Sequence, residues 1–309
     1  MIVTPDSTAG NVFLTIVIPA WDLDGALHEC LASVDLDPEP CRVIVVDNAS
    51  TKPLHVDRRI QLVRTARRGT LAAARNLGLS RVETEFVCFL DGDDILIPPA
   101  LESLVDTMRR NRALVLAAGS SLLWDPEREV VARSFVPPRH AFSYCRYGRW
   151  LAARQTIDRV IPTHGAVVQR AATLRAVGGF PDIAYGENWL VGISLALAGR
   201  ISLSSKPMKF YRVGPAHNQL SRRRDQDFWQ GLHVRRAMRR TLRQDLQSGR
   251  LLRMTSYAIA PLHLFLAGRA RWARPRAQRI LDAEGREIRR ASFDTLATVR
   301  RRTREMQPR

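Results

Sequence analysis

Three apolar runs, each ending in a polar cluster, constrain this chain more than any other feature. Residues 12–18 read VFLTIVI and lead into Pro19, Ala20, Trp21 and Asp22. Residues 42–46 read RVIVV and lead into Asp47, Asn48, Ala49 and Ser50. Residues 86–90 read FVCFL and lead into Asp91, Gly92, Asp93 and Asp94. An apolar run without polar alternation has both faces buried, as in a parallel sheet covered on both sides. Helical patterns separate the runs. Leu27, Leu31 and Val34 share one face over 25–34, residues 71–80 are Ala-rich, and Pro98 and Pro99 open a helix reaching Arg110. Further strands are predicted at 60–64, 113–118, 166–169, 201–203 and 208–213, and a helix at 186–198 stopped by Gly199. Trp124, Asp125 and Pro126 read as a turn between two strands. Strand–helix–strand repetition of this kind specifies an α/β fold with a mostly parallel central sheet.

The chain has 309 residues, enough for one large domain or two ordinary ones. Its 48 basic residues against 30 acidic ones give a net charge of +18, and all but Lys52, Lys206 and Lys209 are Arg. The excess is uneven. Residues 225–309 hold 20 basic and 8 acidic residues in long amphipathic helical patterns. The reading is therefore an α/β domain over 11–224 and a basic helical extension over 225–309. Cys30, Cys41, Cys88 and Cys145 form no C-x-x-C pair, so neither a disulfide scaffold nor a thiolate zinc site is expected. Residues 1–10 contain no Lys or Arg, and no secretory signal is read there. The longest uncharged apolar segment, 254–268, has 15 residues, short of the roughly 20 a spanning helix needs.

In an open α/β sheet, ligands bind beyond the carboxyl ends of the strands. Three polar clusters gather there, and the acidic ones would repel each other without a cation or a hydrogen-bonding ligand between them. Asp91 and Asp93 leave a buried strand as hard oxygen donors suited to Mg²⁺ or Mn²⁺, which bind through one or two carboxylates plus substrate phosphates. Asp94 reads as a helix cap. No EF-hand, P-loop or G-x-G-x-x-G spacing is present.

The stretch from Arg68 through Gly69, Ala74, Arg75, Asn76 and Gly78, continuing into FVCFLDGDD, resembles the signature of family 2 glycosyltransferases of the GT-A fold. That family's pattern is roughly G-x-x-x-A-R-N-x-G, an apolar strand, then L-D-x-D-D. TIVIPAWD is similar to its S-V-I-I-P-x-Y-N, and VIVVDNAS to its I-I-V-V-D-D-G-S. The resemblance spans about residues 12–222. It implies a GT-A-like nucleotide-sugar-binding fold and sugar transfer from a nucleoside diphosphate donor to an acceptor hydroxyl, with inversion and a divalent metal. It places Pro19, Ala20 and Asp22 at the nucleoside, Asp47 at the base and Arg75 near the nucleotide, where it can pair with phosphate. It makes Asp91 and Asp93 the D-x-D pair, with Asp93 the more direct metal ligand. A UDP-sugar is the default donor, and the acceptor is a glycan or a lipid-linked sugar.

Further on, Gly178-Gly179-Phe180-Pro181-Asp182 and Tyr185-Gly186-Glu187-Asn188-Trp189 are similar to the family's G-G-F-D-x and x-E-D-x-D-L pieces. In the family this acidic motif supplies the catalytic base. Asn188 stands at the usual Asp position and cannot take a proton, so Glu187 is the expected base. Asp182, or a chain that has lost catalysis and binds or scaffolds, is the alternative. Tyr211 through Ser221 is similar to the Y-R-x-H-x-x-S-x-S end piece, which makes His217 a candidate metal neighbour, and Arg222 to Arg224 could clamp a diphosphate.

The basic extension, with Phe228, Trp229, Phe265 and Trp272 among its arginines, suits an anionic membrane surface. The expected location is cytoplasmic, peripheral on the inner membrane face. The competing account is packing on the domain or an oligomer. No nucleic-acid-binding motif accompanies the charge.

Overall fold

The computed structural model describes residues 13–23, 25–34, 41–127, 130–134, 151–152, 155, 161, 165–183, 186–212, 237, 241 and 294–305. Strands β1 (Leu14–Ala20), β2 (Cys41–Asp47), β3 (Gln61–Arg64) and β4 (Phe86–Phe89) lie in the order β3-β2-β1-β4, all parallel. The register pairs Ala20 with Asp47 and Asp47 with Arg64, so the polar clusters emerge side by side. The apolar runs alternate between two cores. Ile16, Ile18, Val43 and Val45 pack with Leu27 and Leu31 of α1 (Gly25–Ser33) and with Leu101, Leu104 and Met108 of α3 (Pro98–Arg110). Val17, Ile44 and Val46 pack on the other face with Ala72, Ala74 and Leu79 of α2 (Leu71–Ser80). Continuous apolar strands are needed because both faces are covered.

The other half of the sheet is mixed. β8 (Val167–Arg170) runs antiparallel between β4 and β6 (Leu114–Asp125). β6 then pairs parallel with β9 (Arg200–Arg212) and antiparallel with β7 (Val130–Ser134); two strands do meet here, but the turn expected at Trp124 to Pro126 begins only at Pro126, since Trp124 and Asp125 still pair within β6 with Val131 and Val130. The strands expected at 201–203 and 208–213 are one element. Their separation in sequence reflects Ser204 to Pro207, a polar, proline-ended stretch. The pairing with β6 carries the strand across it with register shifts around Ser120. Two short elements were not legible: β5 (Ile95–Leu96), antiparallel to β9, and the six-residue α4 (Ala171–Ala176). Helix α5 (Glu187–Ala198) falls where expected and packs on the α2 face through Leu190, Val191, Ile193 and Leu195.

A third apolar cluster contains Ile95, Leu122, Trp124 and Phe210 together with Leu296 and Val299 from the helical stretch 294–305. That stretch belongs to the basic extension, yet its apolar side is buried on the sheet, while Arg300, Arg301 and Arg304 are exposed. The 254–268 segment and the remaining expected tail helices lie outside the described residues. No helix among the described residues is long and apolar enough to cross a membrane. Cys30, Cys41 and Cys88 are buried, and burial pushes the Cys88 thiol up to about 12.

Candidate active site

The carboxyl ends of β1 and β2 are joined by their own polar groups. The Asn48 N–H donates to the Ala20 carbonyl at 2.9 Å. Asp22 adopts a left-handed conformation, φ 45°, which turns its carboxylate onto Thr51. The Thr51 N–H and hydroxyl donate to it at 2.6 and 3.0 Å. Pro19 and Ala20 remain within β1, and Ala20 is buried. Trp21 is exposed, with the Arg68 guanidinium 3.3 Å from its ring centre. Asn48 bonds both ways to the backbone of Gly69, its amide donating to the carbonyl at 3.0 Å and its oxygen accepting from the N–H at 2.9 Å.

Asp47 is fully buried. One oxygen accepts from the Ser50 N–H at 2.8 Å, and the other pairs with the partly exposed Arg64 at 2.5 Å. Burial alone would raise its pKa. The hydrogen bonds from Ser50 and the Arg64 guanidinium outweigh that and hold the carboxyl below its usual range. Its carboxylate thus organises the loop, and Arg64 carries its charge toward solvent.

Arg75, on α2, is 1% exposed rather than a surface side chain. In place of a phosphate it holds two carboxylates: Nη1 donates to Glu187 Oε1 at 2.6 Å and Nη2 to Asp91 Oδ1 at 2.7 Å. Its Nε has no partner and is sealed from solvent. The next residue, Asn76, exchanges two hydrogen bonds with the Phe180 backbone, at 2.7 and 2.8 Å. Adjacent residues of the A-R-N motif therefore fasten the D-x-D loop, the G-G-F turn and the start of α5 to one helix. Gly186 precedes Glu187 at φ 83°, a left-handed turn that glycine adopts without strain. Asp182, the alternative base, is exposed and accepts a hydrogen bond from the Thr70 hydroxyl that caps α2. Asn188 is half-buried.

Asp91 and Asp93 are half-buried at the β4 end, and Asp94 is turned inward. Asp94 is not a helix cap, because α3 starts at Pro98 with Ile97 as its cap; it is buried against Lys209. Gly92 packs closely on β1, where a Cβ would meet Leu23 Cδ1 at 2.7 Å and the Pro19 carbonyl at 3.2 Å. Among the described residues no three His, Cys, Asp or Glu side chains form a metal cluster. Two carboxylates completed by diphosphate oxygens are still a donor set that Mg²⁺ or Mn²⁺ accepts, so the residues fit such an ion. His217, Tyr185 and Arg222 to Arg224 lie outside the described residues. Sequence reasoning missed Arg64, Asn76, Lys209 and Arg212. Lys209, one of only three lysines and placed in an apolar strand, was the available signal.

Residues 15–156 match the family described as Glycosyl transferase family 2. Over that stretch, a little under half of its length, the chain is similar to family 2 glycosyl transferases. An uncharacterized glycosyltransferase of Haemophilus influenzae is 28% identical over 123 residues, covering 37% of this chain and 49% of the relative. The succinoglycan biosynthesis protein ExoW of Rhizobium meliloti is 34% identical over 110 residues, 31% of this chain and 34% of ExoW. The chain thus spans half or less of the length of these curated relatives. Among solved structures, S. aureus TarS 1-349 in complex with UDP-GlcNAc superposes with a TM-score of 0.57 at 19% identity, covering 76% of this chain and 68% of TarS. That likeness shows the GT-A-type fold.

Proposed function

We propose that this chain transfers a sugar from a nucleoside diphosphate sugar to an acceptor hydroxyl, with inversion at the anomeric carbon. The observation that carries the reading is Arg75, a buried guanidinium that bonds to Asp91 of the D-x-D loop and to Glu187 at once. It sets the candidate base and the candidate diphosphate site one side chain apart. Glu187 accepts the proton of the acceptor hydroxyl. The oxygen attacks the anomeric carbon from the face opposite the leaving diphosphate, whose bond to that carbon breaks and takes the electron pair. Asp91 and Asp93 would hold Mg²⁺ or Mn²⁺, which when bound neutralises charge on the leaving diphosphate. A UDP-sugar is the donor we favour, since TarS is described with UDP-GlcNAc. The acceptor we favour is a glycan or lipid-linked sugar, in keeping with the succinoglycan role in the name of ExoW. Association with the cytoplasmic face of a membrane through the basic extension belongs to the same reading.

Donor turnover tests it. Glu187→Gln is nearly isosteric and should keep donor affinity while turnover falls by about two to four orders of magnitude. Asp93→Ala should abolish metal-dependent binding of UDP in calorimetry with the fold intact. A Glu187→Gln variant of normal turnover moves the base to Asp182.

Asn188 and the engagement of Glu187 by Arg75 favour a second reading, a nucleotide-sugar-binding or scaffolding protein without turnover. That reading expects donor binding with no sugar transfer in the wild type.

A further inference from the structure

The C-terminal side of the D-x-D loop is fastened to β9 by side chains that the proposed chemistry does not use. Lys209 is fully buried, and its ammonium pairs with the equally buried carboxylate of Asp94. The Arg212 N–H donates to the other Asp94 oxygen at 3.1 Å, and the Arg212 Nε to the Asp93 carbonyl at 2.8 Å. The same guanidinium pairs with Glu29 of α1 and lies 4.6 Å from the centre of the Trp124 ring. Directly afterwards Ile95 and Leu96 pair with Phe210 and Lys209, and the Ile97 N–H donates to Met208 at 2.8 Å. Gly165, at φ 78°, leaves room for the lysine stem, since a Cβ there would stand 2.6 Å from Lys209 Cδ.

This arrangement answers a physical problem. Three carboxylates within four residues repel each other, and a loop free to relax would splay them. Lys209 and Arg212 oppose that repulsion from behind the loop. Asp94 is drawn inward, and the hydrogen bond to the Asp93 carbonyl fixes the backbone from which the Asp93 side chain departs. We propose that Lys209 and Arg212 are positioning residues that hold the 91–94 loop so that Asp91 and Asp93 meet a divalent cation as a preset pair. The proposal rests on the D-x-D reading above. Groups that orient metal ligands without touching the metal commonly change affinity 10- to 100-fold when removed.

The test uses the full 309-residue chain. Mn²⁺ affinity is measured by calorimetry in the presence of UDP, alongside metal-free UDP affinity and thermal midpoint. Arg212→Gln leaves the buried pair in place. Lys209→Met combined with Asp94→Asn removes the pair without stranding a charge. Both variants should bind Mn²⁺ about 10- to 100-fold more weakly, with metal-free UDP affinity within about twofold of wild type. Arg212→Lys, which keeps the charge near Glu29, should recover part of the loss. Wild-type Mn²⁺ affinity in Arg212→Gln overturns the positioning role and leaves the D-x-D reading standing. An equal loss of metal-free UDP affinity overturns it too, because damage is then general. A wild type whose UDP binding ignores Mn²⁺ overturns both the positioning role and the metal reading beneath it.

Discussion

At the residue scale, the site is built from buried charges with designated partners. Arg75 is the clearest case, because Asp91 and Glu187 share it. Arg75→Met would leave two carboxylates facing each other without a cation. Removing one member of a buried pair costs about 3–5 kcal/mol, so a loss of that order is expected in urea unfolding. Adding Glu187→Gln should return part of it, since one stranded charge is then gone. Asp47 makes a prediction in pH. Its folded pKa is depressed, so its contribution is in place above the unfolded value of about 3.9 and disappears as pH falls through the folded value. Asp47→Asn should therefore flatten the acid limb of stability against pH, measured by thermal midpoints from pH 6 downward. An unchanged acid limb would mean that other carboxylates dominate it.

At the element scale, two features organise the site. Helix α2 is clamped to both halves of the sheet: Arg75 and Asn76 reach the D-x-D loop, α5 and the Phe180 turn from adjacent positions. The second feature is the helical stretch 294–305, far from the site in sequence, which buries Leu296 and Val299 against Ile95 and Phe210. Ile95 follows the D-x-D loop directly, so this stretch supports the strand that the loop leads into. Leu296→Ala should destabilise the chain by about 2–5 kcal/mol, the range for a buried Leu, read by urea unfolding. A loss below about half a kcal/mol, typical of surface sites, would mean that the stretch is not part of the domain's core.

At the scale of the whole molecule, the net charge of +18 motivates the proposed membrane association. A truncation near Ser221 would remove Leu296 and Val299 from the core, so the membrane reading is better tested on the intact chain. The full chain should co-sediment with anionic vesicles, release in high salt and ignore neutral ones. Arg301→Glu together with Arg304→Glu, both on the exposed side of 294–305, should weaken binding, as each surface cation contributes about 1 kcal/mol. No binding by wild type leaves the extension as packing. The division between sequence and tertiary structure follows from the range of the interactions involved. The parallel strands, helices α1 to α3 and the polar clusters at the strand ends were legible, because burial on both faces dictates continuous apolar runs and turns demand particular residues within a few positions. The A-R-N, D-x-D and G-G-F pieces could be read as motifs for the same reason. What those motifs do to one another was not legible. Arg75 meets Glu187 across 112 residues and Lys209 meets Asp94 across 115, and no local pattern encodes such a pairing. The two-residue β5, the bulged middle of β9 and the burial of Leu296 were likewise decided only when the chain closed on itself. Each draws its stability from neighbours that are distant in sequence, rather than from its own residues.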